Sequence, residues 1–341
     1  SRQAGASGLY QPYRKGAEHM SWKLAQNNEI SEVRKAYGQT LEKMILEGRP
    51  VMVCDADLAG SSGAGYLYDK YPEHTVNFGI CEANMVAAAA AMSRIGIRPY
   101  VHSFAPFVSR RVADQVCISA AFAKQDLHIY ASDPGYWSLY NGATHTTFED
   151  IAIMRAIPSV HVVAPADSVA FSWVLKWYEQ HGGIIYNRCT RKPVPSIYTK
   201  DSAFTFGKAN ILKTGTDVAL IAIGAGVYDA LESAKQLEEQ GISTSVIDLF
   251  FIKPVDETVL QNVIQTHKVI ITIENHSRYG GIGELVADIM AQQKTSALLR
   301  HISVDDQFGE VGTKEYLKEK FHLTSADIVN KALDGLEKYG S

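Results

Sequence analysis

The chain has 341 residues, of which 46% are hydrophobic and 21% charged, enough for two domains with separate cores. A formal net charge of -4 without any basic stripe argues against a nucleic-acid partner, while single arginines leave room for small anionic ligands. The longest apolar runs, such as Val218-Ala219-Leu220-Ile221-Ala222-Ile223, fall far short of the ~18 residues that span a bilayer, so no membrane is expected.

Residues 1–30 are polar and irregular and read as an arm or a partner contact. The opening Ser1-Arg2-Gln3-Ala4-Gly5-Ala6-Ser7-Gly8 has no apolar core like that of a signal peptide, and the expected compartment is the cytoplasm. From Pro50 onward short apolar strands alternate with longer helical patterns, as in a parallel sheet covered on both faces. Strands are predicted at 51–54, 98–102, 127–130, 160–164 and 184–187, with helices over about 108–123 and from Pro165-Ala166-Asp167 to about Tyr178.

Between the first two strands lies Asn77-Phe78-Gly79-Ile80-Cys81-Glu82-Ala83-Asn84-Met85, running into an alanine-rich helix. A carboxylate at a helix N-terminus is a dipole cap in one reading. In the other, Glu82 is buried behind Ile80 and Met85, where desolvation holds its proton on and equips it for acid chemistry. In open sheets ligands gather beyond the carboxyl ends of the strands, and Asp57, Ser61, Glu82, Ser103, Asp133 and Arg191 all follow strands. The four cysteines, Cys54, Cys81, Cys117 and Cys189, are too widely spaced for a metal knuckle or a disulfide framework. Cys81 suggests a nucleophile, but no histidine pairs with it in sequence.

Residues 193–207, with Pro193, Pro195 and broken periodicity, read as a linker between a domain at 31–192 and a second α/β unit at 208–341. That unit is predicted to have strands at 217–223, 243–249 and 268–273 and a helix over 227–239. Gly280-Gly281-Ile282-Gly283 then opens a helix over 284–292. It lacks the spacing of a phosphate loop and reads as close packing.

The ordered series Gly79-Ile80-Cys81-Glu82, Gly142-Ala143-Thr144-His145, Glu149-Asp150, Met154-Arg155-Ala156-Ile157-Pro158, Pro165-Ala166-Asp167 and Glu274-Asn275-His276 through Gly283 resembles the transketolase family. The likeness is to its C-terminal half, which some organisms encode as a separate subunit, and covers roughly residues 30–335. It implies two doubly wound α/β domains, a thiamine diphosphate pyrimidine-binding domain and a smaller C-terminal domain. It also implies a catalytic role for Glu82, whose carboxyl would meet the aminopyrimidine nitrogen N1', and for His145 at the oxygens of a transferred two-carbon unit. Phe104 and Phe107 would hold the aminopyrimidine ring, although two phenylalanines three apart are more often plain core. Asp57 and Leu58 would lie against the cofactor, and Arg110 falls at a cofactor position where the family carries an aromatic or smaller residue. Arg34, Ser61 and Arg191 match positions that bind a sugar phosphate, the arginines otherwise reading as surface ion pairs.

Two departures mark the substrate side. Leu139-Tyr140-Asn141-Gly142 stands where the family has Gly-Glu-Asp-Gly, so Asn141 replaces an aspartate that recognises a sugar hydroxyl. Asp133 stands near the place of a phosphate-contacting histidine, where a carboxylate is expected to repel an anion, and the aromatic segment 135–140 is expected to reshape the pocket wall. These imply a non-standard ketose or aldose, a sugar phosphate or sulfonate or one without a terminal anion. No Gly-Asp-Gly motif occurs. The resemblance therefore implies that magnesium or calcium and the diphosphate are held by an N-terminal partner subunit, in an α2β2 assembly, and that this chain ligates no metal. The rival readings are the beta subunit of a 2-oxo acid dehydrogenase's first component, a split deoxyxylulose phosphate synthase, and a non-catalytic partner of a transketolase.

Overall fold

A computed structural model describes residues 22–26 and 29–340. Two sheets carry the fold. The first has seven strands in the spatial order Phe251–Lys253, Val160–Val163, Ile184–Cys189, Leu127–Ser132, Arg98–Phe104, Val51–Asp55, Thr75–Asn77. All neighbours are parallel except Phe251–Lys253, which runs antiparallel to Val160–Val163. The second orders Leu298–Val304, Val269–Ser277, Val218–Ala222, Thr244–Asp248 and Asn210–Lys213, with only the last antiparallel. Near-continuous apolar runs suit these strands because helices cover both faces: Leu127–Ser132, Ile184–Cys189, Val218–Ala222 and Thr244–Asp248 are buried at every position.

The strands predicted in both units are present to within a few residues. Three expectations differ. Over 108–123 the chain forms short turns at Arg110–Val112 and Ala113–Gln115 and then a wide-turn π-helix, Val116–Phe122, in place of one regular helix. The strand Phe251–Lys253, which was not read from the sequence, leaves the second unit to edge the first unit's sheet. Residues 193–207 are packed: Pro193–Pro195 pairs with Ile30–Glu32, Asp167 accepts hydrogen bonds from the amides of Ile197 and Tyr198, and Phe204 is buried. The arm at 1–30 lies mostly outside the described residues. Of the part described, Trp22 packs edge-on against Tyr198.

The glycine turn at 280–283 packs closely. A Cβ on Gly281 would overlap the Glu274 carboxylate, and one on Gly280 would overlap Ala152. Glu274 accepts from the amides of Ile282 and Gly283 at 2.8 and 2.9 Å, so the chain's own carboxylate fills the N-terminus of the helix Ile282–Ala291.

Among the described residues no helix is long and apolar enough to cross a membrane.

Candidate active site

The carboxyl ends of Val51–Asp55, Thr75–Asn77, Arg98–Phe104, Leu127–Ser132 and Ile184–Cys189 point to one side of the first sheet. Asp57, Asp133 and Arg191 sit in the turns just beyond three of them, Glu82 opens the helix that follows Thr75–Asn77, and Ser61 lies in the short helix Ala59–Ser62. Ser103 lies inside its strand, fully buried, with a hydroxyl that has no hydrogen-bond partner.

Glu82 is the first residue of the helix Glu82–Ser93, which the left-handed turn at Gly79 (φ 66°) aims back onto the sheet. It is 2% exposed. Met85 is buried with it, but Ile80, expected to cover it, is 73% exposed. The cover comes from Arg111, whose Nη1 donates to both Glu82 oxygens at 2.8 Å. The same guanidinium lies 4.2 Å above the Phe107 ring. The planar face of Phe107 and the carboxylate thus bracket a flat, nitrogen-rich donor.

His145 packs edge-on against Phe107 and Phe104, with ring centroids 5.2 and 5.8 Å apart, and its Nδ1 pairs with the Thr144 hydroxyl at 2.8 Å. Arg191 lies 5.0 Å over the Phe104 ring, and its Nε donates to Asp133 at 2.6 Å. Glu82, Arg111, Phe107, His145, Phe104, Arg191 and Asp133 therefore form one unbroken line of contacts.

Asp133 differs from expectation. Its carboxylate is 2% exposed and accepts from the amide and Nε of Arg191, the Thr190 hydroxyl and Nζ of Lys192. Arg191 and Lys192 both pair with it, so the carboxylate is not bare but sits in a cluster with two cations. Lys192 also donates to the carbonyl of Trp137 at 2.9 Å. Burial pushes its ammonium down against the raising pull of Asp133, and the charges of Arg191 and Arg34 add to the lowering. Arg34 reaches this end because its amide bonds the Arg191 carbonyl, while its own Nε meets Glu32 at 3.2 Å.

Tyr136 and Trp137 are buried and stack on each other, and the amide of Tyr136 bonds Asn275 of the second unit. They join the two units and line a cavity there with Arg188, Glu274 and Asn275. Tyr140 and Asn141 are exposed beyond the kink at Leu139 (φ 50°). Arg110 pairs with Glu149 at 2.8 Å and reaches the Thr146 carbonyl, away from Glu82. Its neighbour Arg111 makes the contact instead.

On the far side of the line, Asp57 is exposed, with φ 62° and its amide bonded to Asn77. Leu58 is half-buried, its amide held by Asp55 at 2.6 Å. Asp55 also holds Nδ1 of His102 at 2.9 Å, and Nε2 of His102 meets the Ser132 hydroxyl at 3.0 Å. All three are buried, and the network braces three neighbouring strand ends under the site. Cys81 is a free, exposed cysteine. Sequence reasoning missed Arg111, Lys192 and His102. Each lies beside, or one strand across from, a residue it singled out.

The face is open: Asp57, Ile80, Cys81, Arg110 and Arg111 are all exposed. Among the described residues no group of three or more His, Cys, Asp or Glu side chains is placed to hold a metal ion.

Residues 31–192 match the transketolase pyrimidine-binding domain, and residues 207–328 the transketolase C-terminal domain. A 6-deoxy-6-sulfo-D-fructose transketolase subunit from Clostridium sp. (strain MSTE9) is 38% identical over 90% of this chain and 95% of its own length. An apulose-4-phosphate transketolase subunit from Phocaeicola vulgatus (strain ATCC 8482) is 30% identical over 91% of this chain and 99% of its own length. A solved split-gene transketolase, described as an inactive beta4 tetramer, superposes with a TM-score of 0.81 at 32% identity, covering 90% of this chain and 98% of that one. The chain belongs to the transketolase family and carries its pyrimidine-binding and C-terminal domains.

Proposed function

We propose that this chain is the C-terminal subunit of a two-subunit thiamine diphosphate-dependent transketolase. It would move a two-carbon ketol unit from a ketose, a phosphate, sulfonate or otherwise non-standard one, to an aldose acceptor. The observation that carries the reading is a buried carboxylate and a phenylalanine face bracketing a planar nitrogen donor, on an open surface of the first sheet.

What supports a fit to the aminopyrimidine end of the cofactor is the flat slot between the Phe107 face and the Glu82 carboxylate, which Arg111 occupies in the free chain. Glu82 would hold the ring nitrogen, Phe104 and Phe107 the ring, and Leu58, with Asp57, the side opposite. When bound, thiamine diphosphate supplies the nucleophilic carbon through which the donor's C2–C3 bond is cleaved and a new bond to the acceptor aldehyde is made. Glu82 would hydrogen-bond the ring nitrogen, and His145 would donate to the oxygens of the two-carbon unit. Arg34, Ser61 and Arg191 orient the sugar's far end. Magnesium and the diphosphate fall to an N-terminal partner subunit, most simply in an α2β2 complex. The inactive state of the beta-only split-gene homologue supports that dependence.

The test is reconstitution. Ketol transfer is expected only when this chain is mixed with an N-terminal transketolase subunit, thiamine diphosphate and magnesium. Glu82→Ala is expected to leave assembly intact by size-exclusion chromatography while lowering transfer at least ~100-fold. Full activity of Glu82→Ala, or of the chain alone, would refute the reading.

A further inference from the structure

Two cations, Arg191 and Lys192, share one buried carboxylate at this end of the site, Arg191 Nε and Lys192 Nζ both lying 2.6 Å from Asp133 Oδ2. Arg34 joins them through its backbone amide, while its partly exposed side chain and that of Lys35 pair with Glu32, where water screens them. Within the inner cluster, two positive charges against the one carboxylate of Asp133 leave one net charge. The guanidinium of Arg191 makes no other hydrogen bond among the described residues, so its two terminal nitrogens are available as a fork beside the Phe104 ring.

We propose that Lys192 and Asp133 together set the charge selectivity of this subsite, matching it to a substrate whose terminal group is a monoanion, a sulfonate, in preference to a phosphate dianion. The inference rests on the ketol-transfer reading, because it takes the line from Glu82 to Arg191 as the substrate path. A phosphate monoester carries about two negative charges above its second pKa, near 6. Against one net positive charge, its second charge would have to be desolvated beside the buried Asp133 carboxylate without a counterion. A sulfonate presents three acceptor oxygens with a single charge, which the Arg191 fork and one of the Lys192 protons can meet. Lys192 is held for this purpose by the Trp137 carbonyl, so the aromatic segment 135–140 contributes by anchoring the lysine. Asp133 acts through Arg191 and Lys192, as a positioning residue.

The direct test needs no partner subunit. The full chain is titrated with ethanesulfonate and with ethyl phosphate, following the Arg191 Nε–H and Lys192 side-chain signals by NMR. At pH 7.5 ethanesulfonate is expected to bind at least threefold more tightly. The gap should close toward pH 5.5 as ethyl phosphate takes up its second proton, while ethanesulfonate affinity stays flat. Asp133→Asn should reverse the preference at pH 7.5, and Lys192→Met should weaken both probes. Equal affinity, tighter binding of ethyl phosphate at pH 7.5, or a pH-independent ratio would overturn the proposal. In the reconstituted complex, Lys192→Met is expected to raise KM for a ketose sulfonate more than tenfold, a larger effect than on kcat. A reconstituted complex that transfers a two-carbon unit from no ketose donor at all would strike at the ketol-transfer reading, and the probe titration would still decide the charge preference.

Discussion

Glu82 and Arg111 are unequal partners: the carboxylate is 2% exposed and the arginine side chain 44%. An ionised carboxylate at that depth needs a donor, whereas the arginine has water as an alternative. In the free chain, therefore, Arg111 satisfies Glu82, and a ring nitrogen entering the same place must displace or share it. Arg111→Met is expected to lower stability by about 1 kcal/mol at neutral pH, a figure kept small because the arginine is partly solvated. The double variant Glu82→Gln/Arg111→Met should recover most of that loss, because the glutamine leaves no charge to compensate. Urea denaturation of the four members of the cycle measures this, and strictly additive losses would contradict it. The sequence reading named Arg110 in this turn, and the structure adds that Arg111 beside it meets Glu82. Arg110 and Arg111 are adjacent, and which one faces Glu82 depends on the turn Arg110–Val112 and the π-helix after it, an irregularity without a periodic signature. Lys192 was hidden for a related reason: its role depends on Asp133, 59 positions away, and on a carbonyl of the aromatic segment.

Among the elements, those with strong local patterning were legible. Apolar runs between turn residues gave the parallel strands, and Asp167 marked the start of Ser168–His181, where it accepts from the amides of Val169 and Ala170. Phe251–Lys253 was not legible, because a three-residue edge strand has no period to detect and its partner lies in the other unit. The glycine turn shows how a motif's chemistry is inverted by context. The turn opens a helix, but its amides are taken by Glu274, whose carboxyl is pushed up to about 7 by burial, against the opposing pull of those two hydrogen bonds. Gly281 has φ -82° and ψ -161°, a conformation alanine adopts freely, so any cost of Gly281→Ala is steric. The added methyl must displace a buried carboxylate from two amide donors, and a loss of about 2–4 kcal/mol is expected. Chemical denaturation checks this, and a change below about 0.5 kcal/mol would mean that Glu274 repositions at little cost.

Across the whole molecule the two units are stitched together. Phe251–Lys253 sits in the first sheet, Arg188 bonds both Asp150 and the Asn275 carbonyl, and Tyr198 in the connecting segment donates to Asp248 at 2.5 Å. Asp248 is fully buried at the end of Thr244–Asp248, and burial raises its carboxyl from 3.8 to about 7 despite the bonds from Tyr198 and the Phe250 amide. A carboxyl whose folded pKa lies above its unfolded value binds its proton more tightly in the native state. Its contribution to stability is complete below about 3.8 and is lost as pH rises through about 7. Asp248→Asn imitates the protonated form, with an amide that still accepts from Phe250 and faces the Tyr198 hydroxyl, and it does not titrate. The stability of the variant minus that of the native chain should therefore increase from pH 5 to pH 8, by about 1–3 kcal/mol, and level off above. Glu274 titrates in the same window but is present in both proteins, so it cancels from the difference. Urea melts at pH 5, 6, 7 and 8 measure it. A difference that stays constant, or shrinks as pH rises, would show that Asp248 remains ionised in the folded chain. The contact between the connecting segment and the second sheet would then be a charged hydrogen bond from Tyr198, in place of the neutral pair that the burial implies.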